Sequence, residues 1–200
     1  MDTTQKTLHL ENIKEYLNES AEVKRLVAQK QSATILLAAG LLVDSFKNGN
    51  KLLLCGNGGS AADCQHLAAE FVNRLSSNFE RQGLPAMALT TDTSFLTAFI
   101  NDYNFDDVFK RQFETFGKPG DVMLGITTSG QSINILKALD AAKQQEMKTI
   151  ALLGQGGEAV GKADVSIIVS SDKTQYMQEA HLAIEHILCS LVERILYGKH

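Results

Sequence analysis

The chain has 200 residues, of which 44% are hydrophobic and 21% are charged, with a formal net charge of −4. A chain of this size can bury one sizeable core, which favours a single domain over two. Because the charge is slightly negative and no run of lysines and arginines occurs, the composition gives no support for a nucleic-acid partner.

The N-terminal region is predicted to form two helices. Residues 4–28 are amphipathic and mixed in charge, unlike a signal peptide. Residues 32–48 are apolar on nearly every face from Ile35 to Val43, a run about half the ~18 residues that a membrane span needs. A helix that is apolar all round must be covered on all sides, either by the chain's own core or by another protomer. We therefore expect residues 1–50 to serve oligomerisation, with no membrane partner.

The three cysteines, Cys55, Cys64 and Cys189, are scattered among apolar or helical patterns. No C-x-x-C spacing points to zinc binding or redox chemistry. Reduced, buried thiols are typical of a cytoplasmic protein, and this is the location that we expect.

From residue 51 onward, short apolar strands alternate with helices. Near-continuous apolar strands separated by helices indicate a parallel sheet covered on both faces, and hence an α/β fold over residues 51–200. The strands are predicted at 51–55, 86–90, 121–127, 149–153 and 165–169, and the helices at 60–75, 94–101, 105–116, 132–145 and 175–196.

Two loops rich in glycine and hydroxyl groups follow predicted strands, at residues 55–60 and 127–132. Ligands of parallel sheets bind beyond the carboxyl ends of the strands. Glycines allow close approach of the backbone, and free N–H groups at a helix start attract anions. Either loop alone could be a tight turn and nothing more, but together they predict a phosphate site.

A nucleotide site is a weaker interpretation of the first loop. Gly56 and Gly58 begin like a dinucleotide fingerprint, but Ser60 and Ala61 fill its end. The acid that follows the second strand, Asp92, comes about 36 residues after Gly56 instead of the usual ~20. The chain also lacks a GxxxxGK[ST] loop, so ATP hydrolysis is unsupported.

Two predicted helices carry histidines and carboxylates that could act together. His66 and Glu70 lie four residues apart and share one helix face, although such pairs are commonly surface partners. On the last helix, His181 and His186 lie about 140° apart, so one site cannot easily use both. Helical periodicity does not choose between them.

Four stretches of the chain stand out together: CGNGGSAADCQHLAAEFVNR, FINDYNFDDVF, LGITTSGQS and QEAHLAIEH. In this order they closely resemble the phosphoheptose isomerase branch of the sugar isomerase (SIS) domain family. The resemblance implies a three-layer α/β/α sandwich with a five-stranded parallel sheet, in a homotetramer whose N-terminal helices pack between subunits. It also implies interconversion of sedoheptulose 7-phosphate and D-glycero-D-manno-heptose 7-phosphate, the entry to ADP-heptose and lipopolysaccharide core synthesis.

The resemblance also assigns roles to individual residues. Glu70 and His186 correspond to catalytic positions, and His181 falls in no site position. One zinc ion per subunit is implied, with ligands at His66, Glu70, Gln178 and His186. The implied substrate contacts are Asn57, Gly58, Gly59, Glu70, Asn101, Asp102, Thr127, Thr128, Ser129, Ser132 and Gln178.

One position departs from the family pattern. The family usually has an arginine two residues before the site glutamine, whereas Tyr176 stands there in this chain. The arginine would anchor either the phosphate or a subunit interface, and this departure puts that contact in doubt.

Two other functions fit the same resemblance. A tetrameric relative regulates replication by binding the initiator DnaA, and the resemblance implies that it lacks the equivalents of Glu70 and His186, both present here. A phosphosugar-sensing module would use the loops without the acid–base pair. The sequence therefore favours the enzyme over both alternatives.

Overall fold

The N-terminal region forms one continuous helix. The computed structural model describes residues 1–198 and begins with α1, Thr3–Lys47. The prediction of two helices is wrong because residues 29–31 are good helix formers and no proline separates the two halves. Asp2 caps the helix, accepting a hydrogen bond from the Gln5 backbone N–H at 2.8 Å.

The rest of the chain alternates strands and helices as predicted. Helix α4 begins three residues later than expected because Asn104 Oδ1 accepts a hydrogen bond from the Asp107 N–H and holds a turn. Helix α6 was not predicted, because its four residues are too few to show a periodic pattern. The elements are β1 Leu52–Gly56, α2 Gly59–Val72, β2 Ala86–Ala88, α3 Thr93–Asp102, α4 Val108–Phe116, β3 Val122–Thr127, α5 Ile133–Gln144, β4 Lys148–Leu153, α6 Ala159–Lys162, β5 Val165–Ile168 and α7 Thr174–Tyr197.

The five strands form one parallel sheet in the order β2-β1-β3-β4-β5. Strand order reverses between β1 and β3, because β2 lies on one side of β1 and the later strands lie on the other. Such a reversal opens a crevice at the carboxyl ends of the two strands. Both predicted phosphate loops, which follow β1 and β3, therefore begin at this crevice.

Helices cover both faces of the sheet. Side chains alternate across each strand, so Leu52 and Leu54 face one core while Leu53 and Cys55 face the other. The first core is closed by α1, α2 and α7, and the second by α3, α4, α5 and α6. This arrangement confirms the predicted three-layer α/β/α sandwich.

Only part of α1 packs on its own domain. Its buried residues lie between Ser20 and Ser45, whereas residues 3–18 are all exposed. Leu36 and Leu37 are more than half exposed even though Ile35 and Ala38 beside them are buried. By length and composition, one stretch of α1 could also span a membrane, a criterion that core helices of soluble proteins meet as well.

Candidate active site

The loop after β1 is shaped by two glycines. Gly58 has a φ of +57°, a left-handed conformation that favours glycine. Gly59 begins α2, and a Cβ there would lie 2.5 Å from the side-chain nitrogen of Gln178. Gln178 of α7 therefore lies directly against the loop, and the absence of a side chain at residue 59 makes room for it.

Asn57 is held by a residue that the sequence analysis missed. The side-chain amides of Asn57 and Asn134 exchange two hydrogen bonds of 2.9 Å, and Asn134 is almost fully buried. Asn134 lies in the first turn of α5, directly after the second loop. The pair therefore connects the two loops. In the sequence, the only sign of this role is that Asn134 is polar among the apolar residues that begin α5.

The second loop gathers hydroxyl groups. Thr127 Oγ1 lies 3.3 Å from Ser129 Oγ and 3.1 Å from Ser132 Oγ. Thr128 is partly buried beside them. Ser132 precedes α5 and its side chain does not cap the helix, so the first N–H groups of α5 remain available. Hydroxyls beside a helix N-terminus suit the oxygens of a phosphate group.

The structure brings His66, Glu70 and His186 together. The Nε2 atoms of His66 and His186 are 2.9 Å apart, and His66 Nε2 lies 3.6 Å from Glu70 Oε1. One potential ligand atom from each residue lies within 4.8 Å of the other two. Helix α2 supplies the first two residues and α7 the third, so the contact between these helices assembles the cluster.

This donor set fits a zinc ion. Zinc prefers nitrogen and oxygen ligands at about 2.0–2.1 Å in a tetrahedron, which places neighbouring ligand atoms about 3.3 Å apart. The distances from His66 Nε2 to His186 Nε2 and to Glu70 Oε1, 2.9 and 3.6 Å, lie on either side of that value. Gln178, the fourth predicted ligand, approaches from the same helix as His186 but has its amide nitrogen at the Gly59 loop.

Asn101 and Asp102 lie apart from this cluster. They end α3, where both are exposed and Asn101 Nδ2 donates a hydrogen bond of 3.0 Å to Asp102 Oδ1. Helix α3 covers the opposite face of the sheet from α2 and α7. The structure therefore joins the two residues to each other and not to the histidines.

His181 points into the protein. It is fully buried, and its Nε2 lies 3.0 Å from the Leu153 carbonyl oxygen at the end of β4. Because a carbonyl oxygen only accepts, His181 carries its proton on Nε2. Burial lowers the pKa of His181 to about 4, so the ring is neutral near pH 7. This tertiary contact distinguishes His181 from His186, which helical periodicity could not do.

One buried and one partly buried carboxyl group lie beside the cluster and were not predicted as site residues. Burial, together with the smaller effect of the nearby Asp63 charge, raises the pKa of Glu185 to about 8. Burial likewise raises the pKa of Asp63, which precedes His66 on α2. The seam between α2 and α7 therefore contains two acids whose pKa values are raised by burial, beside the residues of the cluster.

Tyr176, at the position of the family arginine, faces the N-terminal helix. Its ring is almost fully buried, and its hydroxyl donates a hydrogen bond of 2.8 Å to Glu19 Oε2. Tyr16 packs edge-on against the ring at 4.7 Å, and Lys173 pairs with Glu19. In this chain, the position anchors α7 to α1.

Comparisons with known proteins show the family of this chain. The model of the SIS domain matches residues 15–154. A phosphoheptose isomerase from Pelodictyon phaeoclathratiforme is 49% identical over 96% of this chain and 92% of its own length. The chain belongs to the phosphoheptose isomerase branch of the SIS domain family. The resemblance seen in the sequence is thereby confirmed.

Other members of the SIS domain family are similar over nearly their whole length. A phosphoheptose isomerase from Aquifex aeolicus is 48% identical over 94% of this chain and 97% of its own length. The solved phosphoheptose isomerase from Francisella tularensis superposes with a TM-score of 0.88 at 37% identity, covering 93% of this chain and 98% of its own. That from Neisseria gonorrhoeae gives 0.85 at 39% identity, covering 92% and 98%.

The burial of His181 predicts a pH dependence of stability. Between about pH 6.5 and 4, the unfolded chain binds a proton at this residue and the folded chain does not, so acidification favours unfolding. We expect this residue to account for a loss of up to about 3 kcal/mol in the free energy of unfolding. The variant His181→Gln can still donate a hydrogen bond to the Leu153 carbonyl oxygen but has no ionisable group. Its free energy of unfolding should therefore not show this loss on acidification.

Urea denaturation at pH 7 and pH 4.5 measures the effect. His9→Gln, at an exposed histidine of α1, is the matched control and should keep the wild-type slope of stability against pH. Identical slopes in the wild type and in His181→Gln would show that His181 does not stay neutral in the folded protein.

Proposed function

We propose that this protein interconverts sedoheptulose 7-phosphate and D-glycero-D-manno-heptose 7-phosphate, as an aldose–ketose isomerase at the start of ADP-heptose and lipopolysaccharide core synthesis. The observation that carries the proposal is the meeting of His66, Glu70 and His186 beside two phosphate-type loops. Relatives that share about half their residues with the chain are named phosphoheptose isomerases.

The phosphate end of the substrate binds at the loop after β3. The hydroxyls of Thr127, Ser129 and Ser132 and the first N–H groups of α5 supply hydrogen-bond donors there. Asn57, fixed by Asn134, and the backbone of Gly58 and Gly59 line the sugar. The family resemblance adds Asn101, Asp102, Thr128 and Gln178 as further substrate contacts.

Proton transfer is assigned to Glu70 and His186. The Glu70 carboxylate removes the proton from the carbon beside the carbonyl group, and the His186 imidazole donates a proton to the carbonyl oxygen. The product of these two transfers is a cis-enediol. Glu70 then returns its proton to the neighbouring carbon while His186 regains one from the other hydroxyl, so no proton is lost. Each group contributes typically ~10²- to 10⁴-fold in rate when well placed.

A zinc ion in each subunit would be held by His66, Glu70, Gln178 and His186. Bound there, zinc would supply Lewis-acid polarisation of the carbonyl oxygen. Glu70 and His186 belong to both sets of residues, so tight metal binding would leave them less free to transfer protons.

The protein works as a cytoplasmic homotetramer in this proposal, with residues 1–50 as the oligomerisation segment and 51–200 as the sugar-phosphate-binding domain. Exposed Leu36 lines an apolar groove of about 360 Å³ between α1 and α7, which also contains Ile187. Apolar surface of this kind favours contact with another protomer. The same contact explains the apolar stretch of α1 without a membrane.

The alternative of a DnaA-binding regulator is not retained. By the family resemblance, that regulator lacks the equivalents of Glu70 and His186, and this chain has both in one cluster with His66. A module that only senses phosphosugars would need no such cluster.

Glu70→Gln tests the assignment of the base. The amide keeps the shape of the side chain but cannot accept the proton, so we expect kcat to fall by about 10²- to 10⁴-fold. The measurement is conversion of sedoheptulose 7-phosphate to the aldose phosphate, with and without a zinc chelator. Glu114→Gln, on α4, is the control and should keep full activity. Near-normal turnover by Glu70→Gln would refute the role of Glu70.

The combined change of Leu36 and Leu37 to Glu tests the oligomer. Two carboxylates on this surface would have to lose their hydration in a subunit interface, so we expect the tetramer to dissociate. Light scattering coupled to size-exclusion chromatography gives the mass. Val160→Glu, at a partly exposed apolar residue of α6, should remain tetrameric. An unchanged mass in the double variant would contradict an interface at these leucines.

A further inference from the structure

A buried arginine links the two helices that carry the cluster. Arg81 lies in the segment between α2 and β2, and its side chain is fully buried. Its Nε donates a hydrogen bond of 2.7 Å to Glu193 Oε1 on α7, whose side chain is 6% exposed. Glu193 Oε1 also accepts the Leu75 N–H at 3.2 Å.

The same guanidinium group caps the end of α2. Its Nη2 donates to the backbone oxygen of Glu70 at 2.8 Å, and its Nη1 donates to that of Phe71 at 2.7 Å. The last carbonyls of a helix have no partner within the helix, and a cation is favourable there because the helix dipole is negative at this end. Arg81 therefore holds the backbone of Glu70 itself.

Glu193 faces the same side of α7 as His186. The two residues are seven positions apart, which leaves them about 20° from alignment after two turns. Arg81 thus contacts α7 through Glu193, which shares a helix face with His186, and contacts α2 at Glu70. The 2.9 Å separation between His66 and His186 depends on how these two helices are placed.

Stability alone does not account for this ion pair. Moving both charges out of water is costly, and apolar pairs of similar size are often equally or more stabilising. What a guanidinium adds is a planar set of donors that fixes several acceptors at once. Here the acceptors belong to both helices of the cluster.

We propose that Arg81 and Glu193 are positioning residues that set the distance between His66 and Glu70 on α2 and His186 on α7. The catalytic consequence rests on the proposed function. The geometric consequence does not, because it can be measured through metal affinity and atomic positions.

Arg81→Lys is the first test. Lysine can still pair with Glu193, but a single ammonium cannot also reach the carbonyls of Glu70 and Phe71 in the same plane. We expect kcat to fall about tenfold and the dissociation constant for Zn²⁺ to rise about tenfold. KM for sedoheptulose 7-phosphate should stay within about twofold, because the phosphate loop follows β3.

A double variant separates positioning from folding. Arg81→Met combined with Glu193→Leu removes both charges and leaves no unpaired buried ion, so the protein should fold with a Tm near that of the wild type. It should nevertheless show the same losses in kcat and Zn²⁺ affinity. Asp140→Asn, which breaks the ion pair with Lys162 between α5 and α6, is the control and should change neither quantity.

Wild-type kcat and Zn²⁺ affinity in the folded double variant would overturn the proposal. A third measurement, the separation of the His66 and His186 Nε2 atoms in crystals of wild type and Arg81→Lys, does not depend on activity. If the wild type fails to isomerise the heptose phosphate, the proposed function fails. Increased separation and weaker Zn²⁺ binding in Arg81→Lys would still support positioning, and no change in either would overturn it.

Discussion

The reversal of strand order between β1 and β3 is the constraint on which the site depends. The two loops that leave these strands diverge to opposite faces of the sheet, toward α2 and toward α5. A crevice remains between them, and its walls are helix N-termini and small residues. The reciprocal amide contact of Asn57 and Asn134 spans this crevice and fixes its width. Chemistry at the site then requires only that reactive side chains from α2 and α7 be placed nearby.

Much of this arrangement could be predicted from the chain alone. Apolar strands of five to seven residues between periodic helices indicate a parallel sheet, and the loops at 55–60 and 127–132 stand out by composition. Local patterns contain no information about which helices touch, however. Helical periodicity could not distinguish His181 from His186, whereas the structure places one against the Leu153 carbonyl and the other against His66. Arg81 was missed because its partner Glu193 lies 112 residues away.

Local propensity also explains why the prediction of two N-terminal helices was wrong. The two N-terminal patterns differ because one faces solvent and the other packs on the domain, not because the helix is interrupted. Residues 29–31 have no reason to leave a helix, so α1 runs through the change in environment. Amphipathic character therefore marks where the neighbours of a helix change, whereas helix ends are set by caps such as Asp2 and Asn48.

The polar groups buried between α2 and α7 are difficult to explain by stability. Glu185 is held largely protonated near neutral pH by burial, Asp63 shares its surroundings, and Arg81 and Glu193 are both removed from water. Apolar side chains in this seam would give a more stable domain. They could not, however, hold Glu70 by its backbone or keep two histidines within contact distance. Departures from favourable packing concentrate at functional sites. Here they lie along the seam whose geometry determines whether Glu70 and His186 can act on one substrate.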